Sequence, residues 1–333
     1  MKLFKKLGID LGTTNSLVWE SGVGVVLNEP TVVAVGIEDR KVLEVGTEAK
    51  KMLGKTPEYI EVIRPLQDGV IADYEVTEAM LRSFLKQVMG SNWFFGPEVM
   101  VCVPAGVTQV EQRAVLDATL SAGAKRAYLI DKPLAAAIGA KIPVSESFGN
   151  MIVDIGGGSA EAAVIALGGV VTHKSVRIGG NRLDEVIMEF IKKKHNVIIG
   201  EQTAENIKIQ IGSAIKLKKP EMMEISGRDS VYGLPKNLTV DSDEIYEAIR
   251  PTLDLILGAV RGVLEMTHPE LVSDILDRGI VLSGGTSQLR NFNVLVTREI
   301  GVSAHVAIEP QFCVIKGTGI AVENLDIYRR AIR

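Results

Sequence analysis

Cysteine, histidine and aromatic residues are all scarce: 2 Cys, 4 His and 5% Phe, Trp and Tyr in 333 residues. Cys102 and Cys313 stand in apolar contexts, Val-Cys-Val and Phe-Cys-Val, with no CxxC or histidine-rich neighbourhood. They read as buried reduced thiols outside metal or redox chemistry. His173, His195, His268 and His305 have no partner at metal-ligand spacing and take no catalytic assignment. A strong charge of either sign is missing too, since 37 Lys and Arg against 41 Asp and Glu leave a formal charge of -4. No nucleic-acid partner is expected from that balance. Apolar runs such as Val99 to Val107 are of strand length, short of the roughly 18 residues of a spanning helix. The stretch Met1 to Lys6 leaves no room for a signal peptide before the first glycine motif, so a cytoplasmic location is expected.

What the chain has instead is aliphatic mass and glycine. Apolar residues make up 46% and charged residues 23%, and there are 33 Gly. With so few aromatics, the apolar content is Val, Ile, Leu, Ala and Met. That mixture suits buried parallel strands, packed helices and tight turns in an α/β protein. At roughly 150 residues per domain, the length predicts about two domains, each with its own core. A pseudo-repeat supports the division. Gly8-Ile-Asp-Leu-Gly-Thr-Thr-Asn-Ser16 is echoed by Val153-Asp-Ile-Gly-Gly-Gly-Ser-Ala-Glu161. Each is an apolar strand ending in Asp, a glycine turn bearing hydroxyls, and a second apolar strand.

Helix punctuation lies between these strands. Thr77 is a candidate cap for a helix carrying Leu81, Phe84, Leu85 and Val88 at helical spacing, stopped by Gly90. Thr108 and Glu111 form a capping-box pair. Leu183, Val186, Ile187, Phe190 and Ile191 make an apolar stripe beside Lys192 to Lys194, which reads as a solvated helix end. Shorter strands and turns fill Thr31 to Tyr74 and Lys216 to Val240, which read as small inserted subdomains.

A glycine turn lets backbone N–H groups approach a phosphate, and Thr or Ser hydroxyls add donors. One such turn is equally a tight hairpin. Two related turns facing each other can grip one polyphosphate: Gly12, Thr13, Thr14 and Asn15 from the first, Gly156, Gly157, Gly158 and Ser159 from the second. Asp10 and Asp154, beside the turns, would serve Mg²⁺ through water, each alone being equally a turn cap. Gly284 and Gly285, after the strand Gly279-Ile-Val-Leu, could pass beneath a flat adenosine. Glu205 and Lys208, on one face of a helix beginning near Thr203, could hold the ribose and stack on adenine, or form a plain surface ion pair.

Nearly the whole chain resembles the MreB family of bacterial actins, within the actin/Hsp70 ATPase superfamily. The resemblance is carried by the two glycine turns, Pro133-Leu-Ala-Ala-Ala-Ile-Gly139 and Gly317-Thr-Gly-Ile-Ala321, and more specifically by Arg64-Pro-Leu-Gln-Asp-Gly-Val-Ile-Ala-Asp73 and Gly200-Glu-Gln-Thr-Ala-Glu205. It implies a two-domain actin-like (ribonuclease H-like) fold with duplicated mixed sheets and flanking helices. Domain I would comprise 1–141 and 311–333, with a small subdomain near 31–74; domain II would comprise 142–310, with one near 182–245. It further implies ATP and Mg²⁺ in the cleft and head-to-tail homopolymer filaments, with paired protofilaments on the inner face of the cell membrane. Cell-elongation membrane proteins and MreB paralogues are further implied partners. Two positions depart from the family. Lys132 stands where a Glu usually positions or activates the attacking water, and Ser159 stands for Thr. An ammonium cannot accept a proton from water, so hydrolysis is expected to be slow or altered. Asp131 is the neighbouring carboxylate that could stand in, although adjacency leaves its direction open.

Trp93, Phe94 and Phe95 are consecutive in the loop Ser91 to Pro97 and cannot all face the core. They are expected to touch the lipid interface, unless the loop folds back as a lid. Leu3, Phe4 and the nearby lysines could add a second contact or simply begin the first strand. Competing functions are an actin-like filament for motility, organelle or plasmid positioning, a sugar kinase, and an Hsp70-type ATPase. The last would need a substrate-binding domain after the ATPase, and no substrate-pocket base marks a kinase.

Overall fold

A computed structural model describes residues 5–67, 69–90, 96–329 and 331–332. The aromatic loop residues Trp93, Phe94 and Phe95, and Leu3 and Phe4, lie outside the described residues. In the first half, β1 (Lys6–Leu11), β2 (Asn15–Glu20) and β3 (Gly24–Pro30) form an antiparallel meander. A small insert follows: β4 (Val33–Gly36), β5 (Val42–Val45), α1 (Thr47–Met52) and β6 (Ile60–Ile63), then the two-residue strands β7 (Leu66–Gln67) and β8 (Val70–Ile71). The chain continues through α2 (Tyr74–Met89), β9 (Glu98–Val103), α3 (Gln109–Ser121), β10 (Arg126–Asp131) and α4 (Lys132–Gly139). The resulting sheet has the order β10-β9-β1-β2-β3, with β9 parallel to both β1 and β10.

The second half repeats the plan. Its strands β11 (Asn150–Ile155), β12 (Ala160–Ala166) and β13 (Gly169–Val176) are again an antiparallel meander. After them come α5 (Gly180–His195), β14 (Val197–Ile198), α6 (Glu201–Gln210) and the hairpin β15 (Met222–Asp229) and β16 (Pro235–Asp241). The chain then runs through α7 (Ser242–Met266), α8 (Pro269–Arg278), β17 (Ile280–Ser283), α9 (Phe292–Ile300) and β18 (Ala304–Val306) to α10 (Cys313–Glu323). The sheet order β13-β12-β11-β17-β18 is that of the first sheet in equivalent strands. Every residue of β11 and β12 is buried, as strands covered on both faces require.

Local signals place most helix ends. Thr108 and Glu111 close a capping box on α3, and Gly90 ends α2 at a φ of 52°. Thr77 is not the cap of α2. Asp73 takes that role, accepting from the Val76 N–H at 3.1 Å, because its carboxylate sits one turn earlier, where the free N–H groups are. Thr77 is buried in the first turn and donates to the Asp73 carbonyl at 2.6 Å. Helix α6 likewise begins at Glu201, earlier than Thr203. Lys192 and Lys193 are exposed at the end of α5, as a solvated helix end should be.

Between the two sheets lie α4 and α10. One buried cluster joins Met100 of the first sheet, Leu134 to Ile138 of α4, Val314 and Ala321 of α10, and Ile152 and Ala163 of the second sheet. The helices meet through backbone: a Cβ at Gly139 would overlap the Cys313 carbonyl, and one at Gly317 the Ala135 carbonyl. Among the described residues, no helix is long and apolar enough to cross a membrane.

Gly317→Ala is therefore expected to cost roughly 3 kcal/mol, seen as a lower thermal midpoint. Gly258→Ala, at an exposed position inside α7 with open space around it, is expected to gain about 0.5–1 kcal/mol in the same measurement.

Candidate functional site

The two glycine turns meet across the halves. A Cβ at Gly157 would overlap the Thr14 hydroxyl, and one at Gly158 would come within 2.6 Å of the Thr13 Oγ1. Thr14 Oγ1 donates to Asn181 Oδ1 at 3.2 Å, and Thr13 Oγ1 accepts from the Gly69 N–H at 3.1 Å. The carbonyls of Gly156 and Gly157 accept from the N–H groups of Gly180 and Asn181, at 3.0 and 2.8 Å, at the start of α5. A trans peptide sets its N–H opposite its C=O, so the N–H groups of Gly157 and Gly158 point away from α5. Ser159 ends this turn and is buried, with its Oγ 3.7 Å from where a Cβ of Gly69 would be. On the other side, a Cβ at Gly12 would overlap the carbonyl of Asn15, which begins β2. This cradle of glycine positions, N–H groups turned away from α5 and hydroxyls fits a polyphosphate chain.

The strand register decides what surrounds the two aspartates. Asp10 lies opposite Cys102 on the neighbouring parallel strand, and Asp154 lies opposite Ser283 on its own. Each aspartate takes a bond from that neighbour: Cys102 Sγ donates to Asp10 Oδ1 at 3.1 Å, and Ser283 Oγ to Asp154 Oδ1 at 2.6 Å. Burial raises the Asp10 pKa, with Lys132 opposing, and burial together with Asp10 raises that of Cys102 well above a free thiol's. Both cysteines are free and buried.

Lys132, the first residue of α4, brings its ammonium between the pair, 4.0 Å from Asp10 Oδ1 and 3.7 Å from Asp154 Oδ2. Burial alone would depress its pKa, but Asp10 and Asp154 together carry it well above that of free lysine. The expected Mg²⁺ between these carboxylates does not fit this chain, because a divalent ion there would meet a fixed positive charge. Asp131 precedes Lys132 at the start of α4 without capping it. Its charge reaches Glu161, which lies opposite Asp154 on β12. Glu161 Oε2 accepts from the Ala105 N–H at 3.0 Å. Burial outweighs the opposing charge of Lys132 and pushes the Glu161 carboxyl up to about 7.

Among the described residues Glu205 and Lys208 do not form the surface ion pair that their spacing offered, because Lys208 is paired with Asp184. Lys208 Nζ donates to Asp184 Oδ2 at 2.8 Å and to the Gly180 carbonyl at 3.2 Å, which turns it towards α5. Glu205 acts on the same cluster: burial first, and then the charges of Glu205 and Glu201, raise Asp184 to about 6 against the pull of Lys208. Gly284, at a φ of 83°, lies where a Cβ would overlap the Ile155 carbonyl, and Gly285 has open space in front of it. A separate link joins the halves at the surface, where Arg64 donates to Glu201 at 2.6 Å. Sequence reasoning missed Cys102, Ser283, Glu161 and Asp184. For the first three the signal is strand register, which no local spacing carries.

Two duplicated mixed sheets, each opened by a strand, glycine turn and strand, with the turns meeting between the halves, define an actin-like α/β protein. The chain belongs to the MreB/Mbl family, whose model matches residues 4–330. It is 45% identical over 330 residues to the cell shape-determining protein Mbl of Bacillus cereus, covering 99% of both chains. To the cell shape-determining protein MreB of Escherichia coli it is 49% identical over 328 residues, covering 97% of this chain and 94% of that one. Its fold matches the crystal structure of MreB5 of Spiroplasma citri bound to ADP with a TM-score of 0.92, at 34% identity and 98% coverage of each chain.

Glu161 makes stability depend on pH with a defined sign. Its carboxyl is raised from 4.5 to about 7, so between those values the folded chain keeps a proton that the unfolded chain releases. Stability falls as pH rises through that window. Denaturant unfolding of nucleotide-free protein should show that Glu161→Gln loses less stability than wild type between pH 5 and pH 8, the difference being about 3 kcal/mol.

Proposed function

We propose that this chain is an ATP-binding bacterial actin that polymerises into membrane-associated filaments controlling cell shape, and that it hydrolyses ATP slowly. The observation that carries the reading is the meeting of the two glycine turns across the halves, in a chain whose relatives are cell shape-determining proteins. A structural neighbour, MreB5 of Spiroplasma citri, is bound to ADP, which supports nucleotide binding by this chain. Thr13, Thr14, Asn15 and the N–H groups of Gly157 and Gly158 would hold the phosphates, Ser159 would add a hydroxyl, and Gly284 and Gly285 would lie beneath the adenosine. Bound ATP supplies the phosphoanhydride whose cleavage distinguishes the two nucleotide states. Hydrolysis asks for a group that accepts a proton from water, and Lys132, held charged by two carboxylates, cannot be that group.

Head-to-tail contacts between identical subunits use different surfaces and so extend without closing, which suits a filament. Membrane contact rests on the sequence, on the three consecutive aromatics Trp93, Phe94 and Phe95 between polar and glycine residues.

Two measurements test these readings. Phosphate release in excess Mg²⁺ is expected to be faster for Lys132→Glu than for wild type, by about tenfold or more; a wild-type rate equal to or above the variant's rejects the role given to Lys132. Co-sedimentation with liposomes and ATP is expected for wild type and lost when Trp93, Phe94 and Phe95 are all changed to Ser. Unchanged pelleting of that variant removes the loop as the anchor.

A further inference from the structure

Two carboxylates from different halves, Asp10 and Asp154, are both buried and share one neighbour, the Lys132 ammonium. Buried carboxylates brought to one point need a counter-charge. In polyphosphate sites a hydrated divalent cation commonly supplies it, and that cation requires a near-octahedral shell of oxygens. Here the charge is covalently part of the chain and is placed by α4, whose Gly139 is locked against α10. Its distances to the carboxylates, 4.0 and 3.7 Å, exceed a hydrogen bond, so its N–H groups are not consumed by them. It also lies against the second glycine turn, 3.9 Å from where a Cβ of Gly156 would be, and its side chain retains 12% exposure.

We propose that the Lys132 ammonium takes the place of a divalent cation in this cleft, so that the chain binds a nucleoside polyphosphate without Mg²⁺. The inference rests on the nucleotide-binding reading above and adds the identity of the cation. The two phosphate-facing turns and the ammonium then form one preassembled anion site. A divalent ion adds little to it, because it must approach a like charge to reach the carboxylates.

The test is the affinity of a fluorescent ATP analogue, titrated into the full chain in excess Mg²⁺ and again in excess EDTA. Wild type is expected to change by less than about threefold, whereas Lys132→Met, which keeps the side-chain length and removes the charge, is expected to lose about tenfold or more in EDTA. Without nucleotide, Mn²⁺ titration followed by electron paramagnetic resonance should show a bound-metal signal for Lys132→Met and none for wild type. Wild-type binding that falls tenfold in EDTA overturns the inference and leaves nucleotide binding standing. Metal-independent binding in both proteins overturns the assignment to Lys132. Absence of binding under every condition overturns the nucleotide reading and the inference with it. Should Lys132→Met fold poorly, as loss of a buried counter-charge can cause, the wild-type comparison decides by itself.

Discussion

The backbone contact between α4 and α10 is the constraint on which the rest of the molecule depends. Two helices can sit between two sheets only if their axes come close, and here they come close enough that carbonyls occupy the space of missing side chains at Gly139 and Gly317. The contact runs along α4 from Ala135 to Gly139, and its last point lies roughly 10 Å from Lys132 along a helix that rises 1.5 Å per residue. A short rod held along its length delivers its first residue to a fixed place. That place is the gap between Asp10 and Asp154, each at the end of the central strand of its own sheet.

Duplication explains the symmetry of this centre, and α4 explains its asymmetry. Each half supplies an aspartate, and the adjacent parallel strand supplies a donor in matching register, Cys102 in one half and Ser283 in the other. The ammonium comes from the first half alone. Charge at the centre is therefore a property of the assembled pair of halves, since neither half by itself holds both carboxylates.

Much of this was legible in the sequence, wherever the determining interaction is local. The repeated strand, glycine turn and strand exposed the duplicated fold; the Thr108 and Glu111 pair exposed the start of α3, and Gly90 the end of α2. Asp73 rather than Thr77 caps α2 because it stands one turn earlier, where the unpaired N–H groups lie, and the spacing of the apolar stripe does not mark that boundary. The sequence also singled out Lys132, but only by its departure from a family pattern. Its position between two aspartates 122 residues before it and 22 after it depends on how the sheets pack. Lys208 shows the opposite case. Helical spacing offered Glu205, while the folded chain supplied Asp184 from another helix. Register between parallel strands, which put Cys102 and Ser283 beside the aspartates, leaves no mark within either strand.

The Arg64 and Glu201 pair joins the halves in a different physical regime from Lys132. It connects the two segments that resemble the MreB family most specifically, yet its side chains are 31% and 68% exposed. Such a pair contributes at most about 1 kcal/mol, and dissolved salt weakens it. The buried centre is shielded from that screening. Ionic strength thus acts on one seam of the molecule and spares the other, so added salt weakens the tie between the halves at the surface and leaves the one at depth intact.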